Sequence, residues 1–218
     1  MRFCSNWRLY VIVDRAAAGD RDLVDIASAA IRGGADVIQL RDKSASTRQL
    51  FATAQRLLPH TRAVGVPLII NDRADVAAAV GAEGVHLGQD DLPVQAARSL
   101  LEPGRLIGKS THSLEQAAAA EAEGVDYIGF GPIFLTPTKP DYKSVGLDQL
   151  RLAARKIRVP MVCIGGIDAS NLEHVTRAGA ERVAVVRAVC AAADPEAAAR
   201  TLKHRLEQFI RPSVPSSL

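Results

Sequence analysis

Apolar positions along this chain follow two alternating patterns. Short unbroken runs such as Leu9 to Val13, Leu68-Ile69-Ile70 and Met161 to Ile164 read as strands covered on both faces, since a strand wetted on one side would alternate apolar with polar. Between the runs lie stretches of helical spacing. Leu23, Ile26, Ala27, Ala30 and Ile31 make one apolar stripe within residues 21–32, which stops at Gly33-Gly34. The two patterns predict strands at 9–13, 37–40, 68–70, 84–87, 105–109, 126–130, 160–164 and 182–186. They predict helices at 21–32, from Ser46 to near Gly65, at 73–80, at 93–101, from Ser113 to about Glu123, at 147–156, at 170–178 and from Asp194-Pro195 onward. Ser46 with Gln49, and Ser113 with Gln116, have the spacing of a capping box. Gly34-Ala35-Asp36, Gly81-Ala82-Glu83, Gly124-Val125-Asp126 and Gly179-Ala180-Glu181 recur where a helix hands over to a strand, each supplying the glycine that a helix end prefers.

Eight strands, each followed by a helix, imply a parallel sheet closed into a single (β/α)8 TIM barrel over residues 1–210, with 211–218 as a frayed tail. A length of 218 residues is a little under the roughly 250 typical of that fold, as short loops would give. The alternative is an open doubly wound sheet. It is disfavoured because the first strand–helix turn, Asp14 to Asp20, lacks Gly-x-Gly-x-x-Gly.

In a barrel of this kind the loops after the strands share the face that carries the active site. The unusual residues of this chain cluster there. Past the second strand stands Gln39-Leu40-Arg41-Asp42-Lys43, in which alternation sends Gln39, Arg41 and Lys43 to one side. Charge placed there calls for an anionic partner. A ligand could supply it, or Arg41 and Lys43 could be a solvated strand end paired to Asp42 or Asp36. Asp72 after the third strand and Asp91 after the fourth could jointly hold a hard divalent cation. Alternatively Asp90 or Asp91 caps the next helix and Asp72 pairs with Arg73. Gly165-Gly166 after the seventh strand would let backbone amides approach a phosphate, or forms only a tight turn. His86 and His112 are acid–base groups by type, yet a strand-end histidine is more often a satisfied structural residue, and neither is assigned a catalytic role. The rim thus reads as two anion sites, which two phosphorylated substrates would fit.

Composition narrows the class. With 48% hydrophobic and 23% charged residues and a formal charge of +3, the chain reads as a soluble globular protein with scattered basic residues, not a nucleic-acid-binding surface. Cys4, Cys163 and Cys190 have neither disulfide nor zinc spacing, and Cys163 falls in a predicted core strand. No segment approaches the roughly 18 apolar residues of a membrane helix, and Met1 to Arg8 lacks the apolar run of a secretion signal, so a cytoplasmic location without membrane partners is expected. The oligomeric state stays open, a homo-oligomer included.

QLRDK at 39–43, IINDR at 69–73, HLGQDD at 86–91, IGKSTH at 107–112, GFGPIFLTPTK at 129–139 and IGGI at 164–167 resemble thiamine phosphate synthase, in order, from about Leu9 to Phe209. The resemblance implies a Mg2+-dependent (β/α)8 transferase that joins hydroxymethylpyrimidine diphosphate to hydroxyethylthiazole phosphate and releases pyrophosphate. It implies that Gln39, Arg41, Lys43 and Asn71 hold the pyrimidine diphosphate and that Asp72 and Asp91 hold the metal. By the same resemblance Ser110 and Lys139 sit over the reacting diphosphate, while Thr136, Thr138, Gly166 and the strand end at Val186-Arg187 bind the thiazole phosphate. Two relatives of that family are alternatives: a thiazole tautomerase, and a regulatory protein that binds without turnover. Asp72, Asp91 and Lys139 favour the synthase. The chain departs from the family at Arg187, where a serine is common. Arg187 shares parity with Val183 and Val185; if those residues face the barrel interior, its guanidinium could grip the thiazole phosphate, and otherwise it could pair with Asp168. The stretch from Thr136 to Val145, which carries Lys139 and Lys143 and lacks an apolar pattern, is expected to be a lid, mobile when empty and ordered once diphosphate binds.

Overall fold

Apolar runs become strands in this chain because both of their faces are covered, by the barrel interior on one side and by helices on the other. The computed structural model describes residues 6–136 and 143–209. Its strands are β1 (Leu9–Asp14), β2 (Val37–Arg41), β3 (Leu68–Asn71), β4 (Gly84–Leu87), β5 (Leu106–Thr111), β6 (Tyr127–Phe130), β7 (Met161–Ile164) and β8 (Val183–Val185). All pair in parallel in chain order, and β8 returns to β1 to close the barrel. The (β/α)8 expectation holds.

The helices are α1 (Arg15–Ala18), α2 (Leu23–Arg32), α3 (Thr47–Arg62), α4 (Ala74–Val80), α5 (Val94–Leu100), α6 (Leu114–Ala122), α7 (Gly146–Lys156), α8 (Leu172–Arg177), α9 (Arg187–Cys190) and α10 (Pro195–Phe209). Two of them, α1 and α9, have no counterpart in the sequence pattern, since four residues are too few to display a helical period. Ser46 and Gln49 form the expected capping box on α3. Ser113 accepts the Gln116 amide at 3.2 Å, but Gln116 Oε1 accepts from His112 N at 2.8 Å, one residue before the cap, so only half of the second box exists. Among the described residues, no helix is long and apolar enough to cross a membrane.

Alternation sorts the strand residues into two apolar layers. Leu9, Val11, Val13, Ile38, Leu40, Val183 and Val185 face the helices, while Tyr10, Ile12, Val37, Ile69, Tyr127, Val162 and Ala184 fill the barrel. Cys163 is fully buried, as a small hydrophobe would be, and burial pushes its thiol up to about 12. Cys190, against the Ile12 carbonyl, is pushed up to about 11 by the same cause. Cys4 and the 211–218 tail lie outside the described residues.

The end of the barrel where strands begin is pinned by carboxylates. Asp36 accepts the amides of Arg8 and Leu9, both at 2.8 Å, and holds Lys203 of α10 at 2.6 Å. Glu83 accepts Leu68 N at 3.0 Å, Asp126 accepts Ile107 N at 2.7 Å, and Glu121 accepts Val159 N at 3.0 Å. The starts of β1, β3 and β5 and the approach to β7 are therefore each fixed by an acid supplied from elsewhere in the barrel.

Candidate active site

At the opposite end, where strands finish, a cavity of about 490 Å3 opens into the barrel. The alternation that buries Val37 carries Gln39 and Arg41 into it from β2. Asn71 at the end of β3 and Ser110 on β5 complete this early wall. Ser110 lies within its strand, not past it, because β5 runs two residues beyond the predicted end. Across the cavity stand Gly166, Thr136, Val186 and Arg187. Eight predicted site residues thus border one space. Thr138 and Lys139, with the rest of the expected lid at 137–142, lie outside the described residues.

Arg41 takes neither Asp42 nor Asp36. It pairs with Asp14, its register partner at the end of β1. Asp14 is only 2% exposed and also accepts Ala17 N at 3.0 Å, which starts α1. Asp42 instead accepts Ser44 and Ala45, and Asp36 sits at the far end of the barrel. An acid closing an apolar strand was the available signal for Asp14, and strand pairing gives it its partner.

Lys43, Asp72 and Asp91 gather outside the residues that line the cavity, Asp72 directly following Asn71, which lines it. Lys43 Nζ lies 3.2 Å from Asp72 Oδ2. Asp72 is the one described non-glycine residue with positive φ, 63°, a conformation that aspartate tolerates better than most residues. Asp91 accepts Gly88 N at 2.6 Å and faces Asp72. Burial raises the Asp91 carboxyl above its ordinary value and Asp72 raises it further, while the Gly88 amide and Lys43 oppose them. The purely structural alternatives are not realised. α5 starts after Pro93, so neither Asp90 nor Asp91 caps it, and Arg73 holds Asp75 at 2.8 Å. Among the described residues no group of three or more His, Cys, Asp and Glu gathers as a metal cage. Two facing carboxylates that resist sharing their charge nevertheless suit a cation that takes one or two protein carboxylates and completes its shell with phosphate and water.

The late wall is built of backbone. Gly165 and Gly166 have φ of 104° and 64°, and a Cβ on either would strike Pro132 or the Leu135 carbonyl. Ile133 N and Phe134 N donate to Ile164 O and Gly165 O at 2.8 and 3.0 Å, zipping the loop after β6 onto the loop after β7. Past β8, α9 opens with the amides of Arg187 and Ala188, which have no partner within their own helix. Loops after the seventh and eighth strands with a short extra helix are the recurring phosphate site of this fold.

The parity argument for Arg187 does not hold. Val183 and Val185 face the helices, and Ala184 and Val186 face the interior. Arg187 reaches the cavity because β8 ends at Val185 and the chain turns into α9. No ion pair joins it to Asp168 among the described residues; Asp168 accepts Ser170 N at 2.7 Å, and the Ser170 hydroxyl bond holds its carboxyl below the usual value.

Sequence reasoning did not find how Gln39 and Ser110 are joined. Gln39 Nε2 donates to Tyr10 Oη at 2.8 Å, Tyr10 Oη meets Tyr127 Oη at 3.0 Å, Tyr127 Oη meets His86 Nδ1 at 3.2 Å, and His86 Nε2 meets Ser110 Oγ at 2.9 Å. His86 and His112 are engaged as structural residues would be, His112 Nδ1 lying 2.5 Å from the Gly131 carbonyl, yet both line the cavity.

Known proteins bear on this geometry. A model of the family described as thiamine monophosphate synthase matches residues 9–189. A thiamine-phosphate synthase of Roseiflexus castenholzii is 51% identical over 195 residues, covering 89% of this chain and 86% of the relative. Another, of Chloroflexus aurantiacus, is 51% identical over 199 residues, covering 91% and 92%. The solved thiamine phosphate pyrophosphorylase of Pyrococcus furiosus superposes with a TM-score of 0.86 at 36% identity, covering 94% of this chain and 97% of that one. With the barrel, the rim and the motifs in agreement, the chain belongs to the thiamine monophosphate synthase family.

Proposed function

We propose that this chain condenses hydroxymethylpyrimidine diphosphate with hydroxyethylthiazole phosphate, giving thiamine phosphate and pyrophosphate. The observation that carries the reading is the two-walled cavity, lined by Gln39, Arg41 and Asn71 with Lys43, Asp72 and Asp91 past the ends of β2 to β4, and made of glycine turns beyond β7 and the start of α9 beyond β8. Gln39 and Asn71 orient the pyrimidine diphosphate on the early wall. Arg41, steadied by Asp14, and Lys43 take up its charge, with Lys139 and Ser110 above the reacting end. Asp72 and Asp91 hold Mg2+, which when bound neutralises charge on the departing diphosphate. Gly166, Thr136, Thr138, Val186 and Arg187 seat the thiazole phosphate.

The pyrimidine methylene–oxygen bond breaks and its electron pair leaves with pyrophosphate. The carbocation left behind is stabilised by the ring amino group, and the thiazole nitrogen lone pair forms the new carbon–nitrogen bond. No protein nucleophile is needed. What the protein supplies is charge placed in advance where charge develops. Both purified substrates, with and without Mg2+, provide the test: pyrophosphate and thiamine phosphate should appear in equal amounts only with metal present. Binding of both substrates with no pyrophosphate released would refute the reading.

A further inference from the structure

The five side chains that link Gln39 to Ser110 come from five strands, in the order β2, β1, β6, β4 and β5, and meet only because the barrel is closed. Gln39, Tyr10 and Tyr127 are 2%, 2% and 1% exposed. Room for the column is made by Gly108, where a Cβ would run into the Tyr127 ring, and by Gly129, where it would press on His86 Cε1 at 3.2 Å. Substituting this polar strip into an otherwise apolar barrel would be costly without complete hydrogen bonding.

One end of the column has a fixed direction. Gln39 presents Nε2 to Tyr10, and an amide nitrogen can only donate. Tyr10 Oη accepts there, while its contact with Tyr127 Oη admits either hydroxyl as donor and the contact of Tyr127 with His86 Nδ1 depends on the ring tautomer. In the one-way arrangement that continues from Gln39, Tyr10 donates to Tyr127 and Tyr127 donates to His86 Nδ1. A ring nitrogen that accepts carries no proton, so the neutral imidazole holds its proton on Nε2 and donates it to Ser110 Oγ. Ser110 has then accepted from inside the barrel, and its own proton is left to point into the cavity it lines.

We propose that this column is a one-way hydrogen-bond relay that fixes His86 as the Nε2–H tautomer and thereby aims the Ser110 hydroxyl proton at the leaving diphosphate. The second half rests on the function proposed above. Tyr10, Tyr127 and His86 are positioning residues; Ser110 is the group that meets substrate. The relay stabilises the oxygen on which charge develops, and no proton need cross it. His112 is an internal contrast: a carbonyl can only accept, so the proton facing Gly131 O sits on His112 Nδ1, the opposite tautomer.

The full chain labelled with 15N-histidine, in substrate-free buffer above pH 8, gives the direct test. Long-range proton–nitrogen correlations should show His86 as Nε2–H and His112 as Nδ1–H, with His86 identified by its loss in His86→Gln. A proton on His86 Nδ1 would reverse the column and overturn the proposal. Tyr127→Phe should move His86 toward a mixture of tautomers and lower kcat about three- to tenfold, the worth of one oriented hydrogen bond, with KM for the thiazole phosphate unchanged. Tyr10→Phe is the second variant and should act in the same direction. His86→Gln, whose amide nitrogen can stand where Nε2 stood, should keep more activity than His86→Asn. Folded Tyr127→Phe and Tyr10→Phe with unchanged kcat would sink the relay. The tautomer measurement needs no substrate, so a parent chain that makes no thiamine phosphate would refute the proposed function and leave that measurement standing.

Discussion

The two ends of this barrel use the same ingredients to opposite ends. Where strands begin, each pinning carboxylate is occupied: Asp36 by two amides and Lys203, Asp126 by an amide and Arg98, Glu83 by an amide and Arg62. Where strands finish, Asp72 and Asp91 face one another, with Lys43 beside Asp72 and the Gly88 amide on Asp91. A satisfied carboxylate stabilises the fold. A pair of carboxylates opposed to each other stores a demand for positive charge, which a ligand can meet. The barrel thus separates holding from acting by some length of strand, as the fold does generally.

The sharpest way to break the comparison is to remove a carboxylate at each end. Asp72→Ala and Asp91→Ala should each lower kcat by about a hundredfold or more while the melting temperature changes little, because relief of the repulsion between the two carboxylates offsets the loss of the Lys43 and Gly88 contacts. Near-normal turnover and metal dependence in both would remove these residues from the metal site. Asp36→Ala should do the reverse. Its two amides and Lys203 lose their partner, which costs about 2 kcal/mol, or roughly 4–8 °C of melting temperature, with kcat of the folded fraction unchanged. A variant that lost activity without losing stability would contradict the division.

Arg187→Ser probes the acting end alone. A charge-assisted contact replaced by a hydroxyl should raise KM for the thiazole phosphate about tenfold and leave that for the pyrimidine diphosphate alone. Unaltered KM values with a lower melting temperature would make Arg187 structural. The smallest effect is the most diagnostic. The Asp91 carboxyl is raised by burial and by Asp72, so the native chain holds that proton more tightly than the unfolded chain does. Stability from this group is present at low pH and is lost as pH rises above about 4, the ordinary aspartate value, through the higher native one. In metal-free buffer Asp91→Asn should therefore melt slightly above the parent at neutral pH, and the gap should shrink on acidification; scanning calorimetry across pH reads it. A gap that grows in acid would reverse the assigned direction.

The barrel was legible in the sequence because its strands are unbroken apolar runs and its turns repeat, so periodicity and glycine placed every strand within two residues at either end. The early wall was legible for the same reason: parity alone carries Gln39 and Arg41 inward. Arg187 was misread where parity stopped applying, since the final strand is only three residues long and a four-residue helix turns the chain into the rim. Asp14 was passed over because a lone acid at a strand end does not reveal which strand lies beside it. The Tyr10–Tyr127–His86 column was beyond reach for a deeper reason. Its members are separated by up to 117 residues in sequence, and no local pattern distinguishes a tyrosine that fills a barrel from one that conducts an orientation through it.

The closing of β8 onto β1 has a consequence for how the protein comes into being. Asp36, near the beginning, finds Lys203 of α10, and β1 finds its second neighbour only after residue 183 has been made. Early strands can pair with one another during synthesis, but Cys190 cannot reach the Ile12 carbonyl, nor Arg187 the cavity, until the last units emerge. A chain cut before Val183 would lack β8, leaving β1 and β7 each with one open edge and the cavity without Val186 and Arg187. The cavity is whole only once β8 has joined β1, so its two walls are made by segments that become neighbours last.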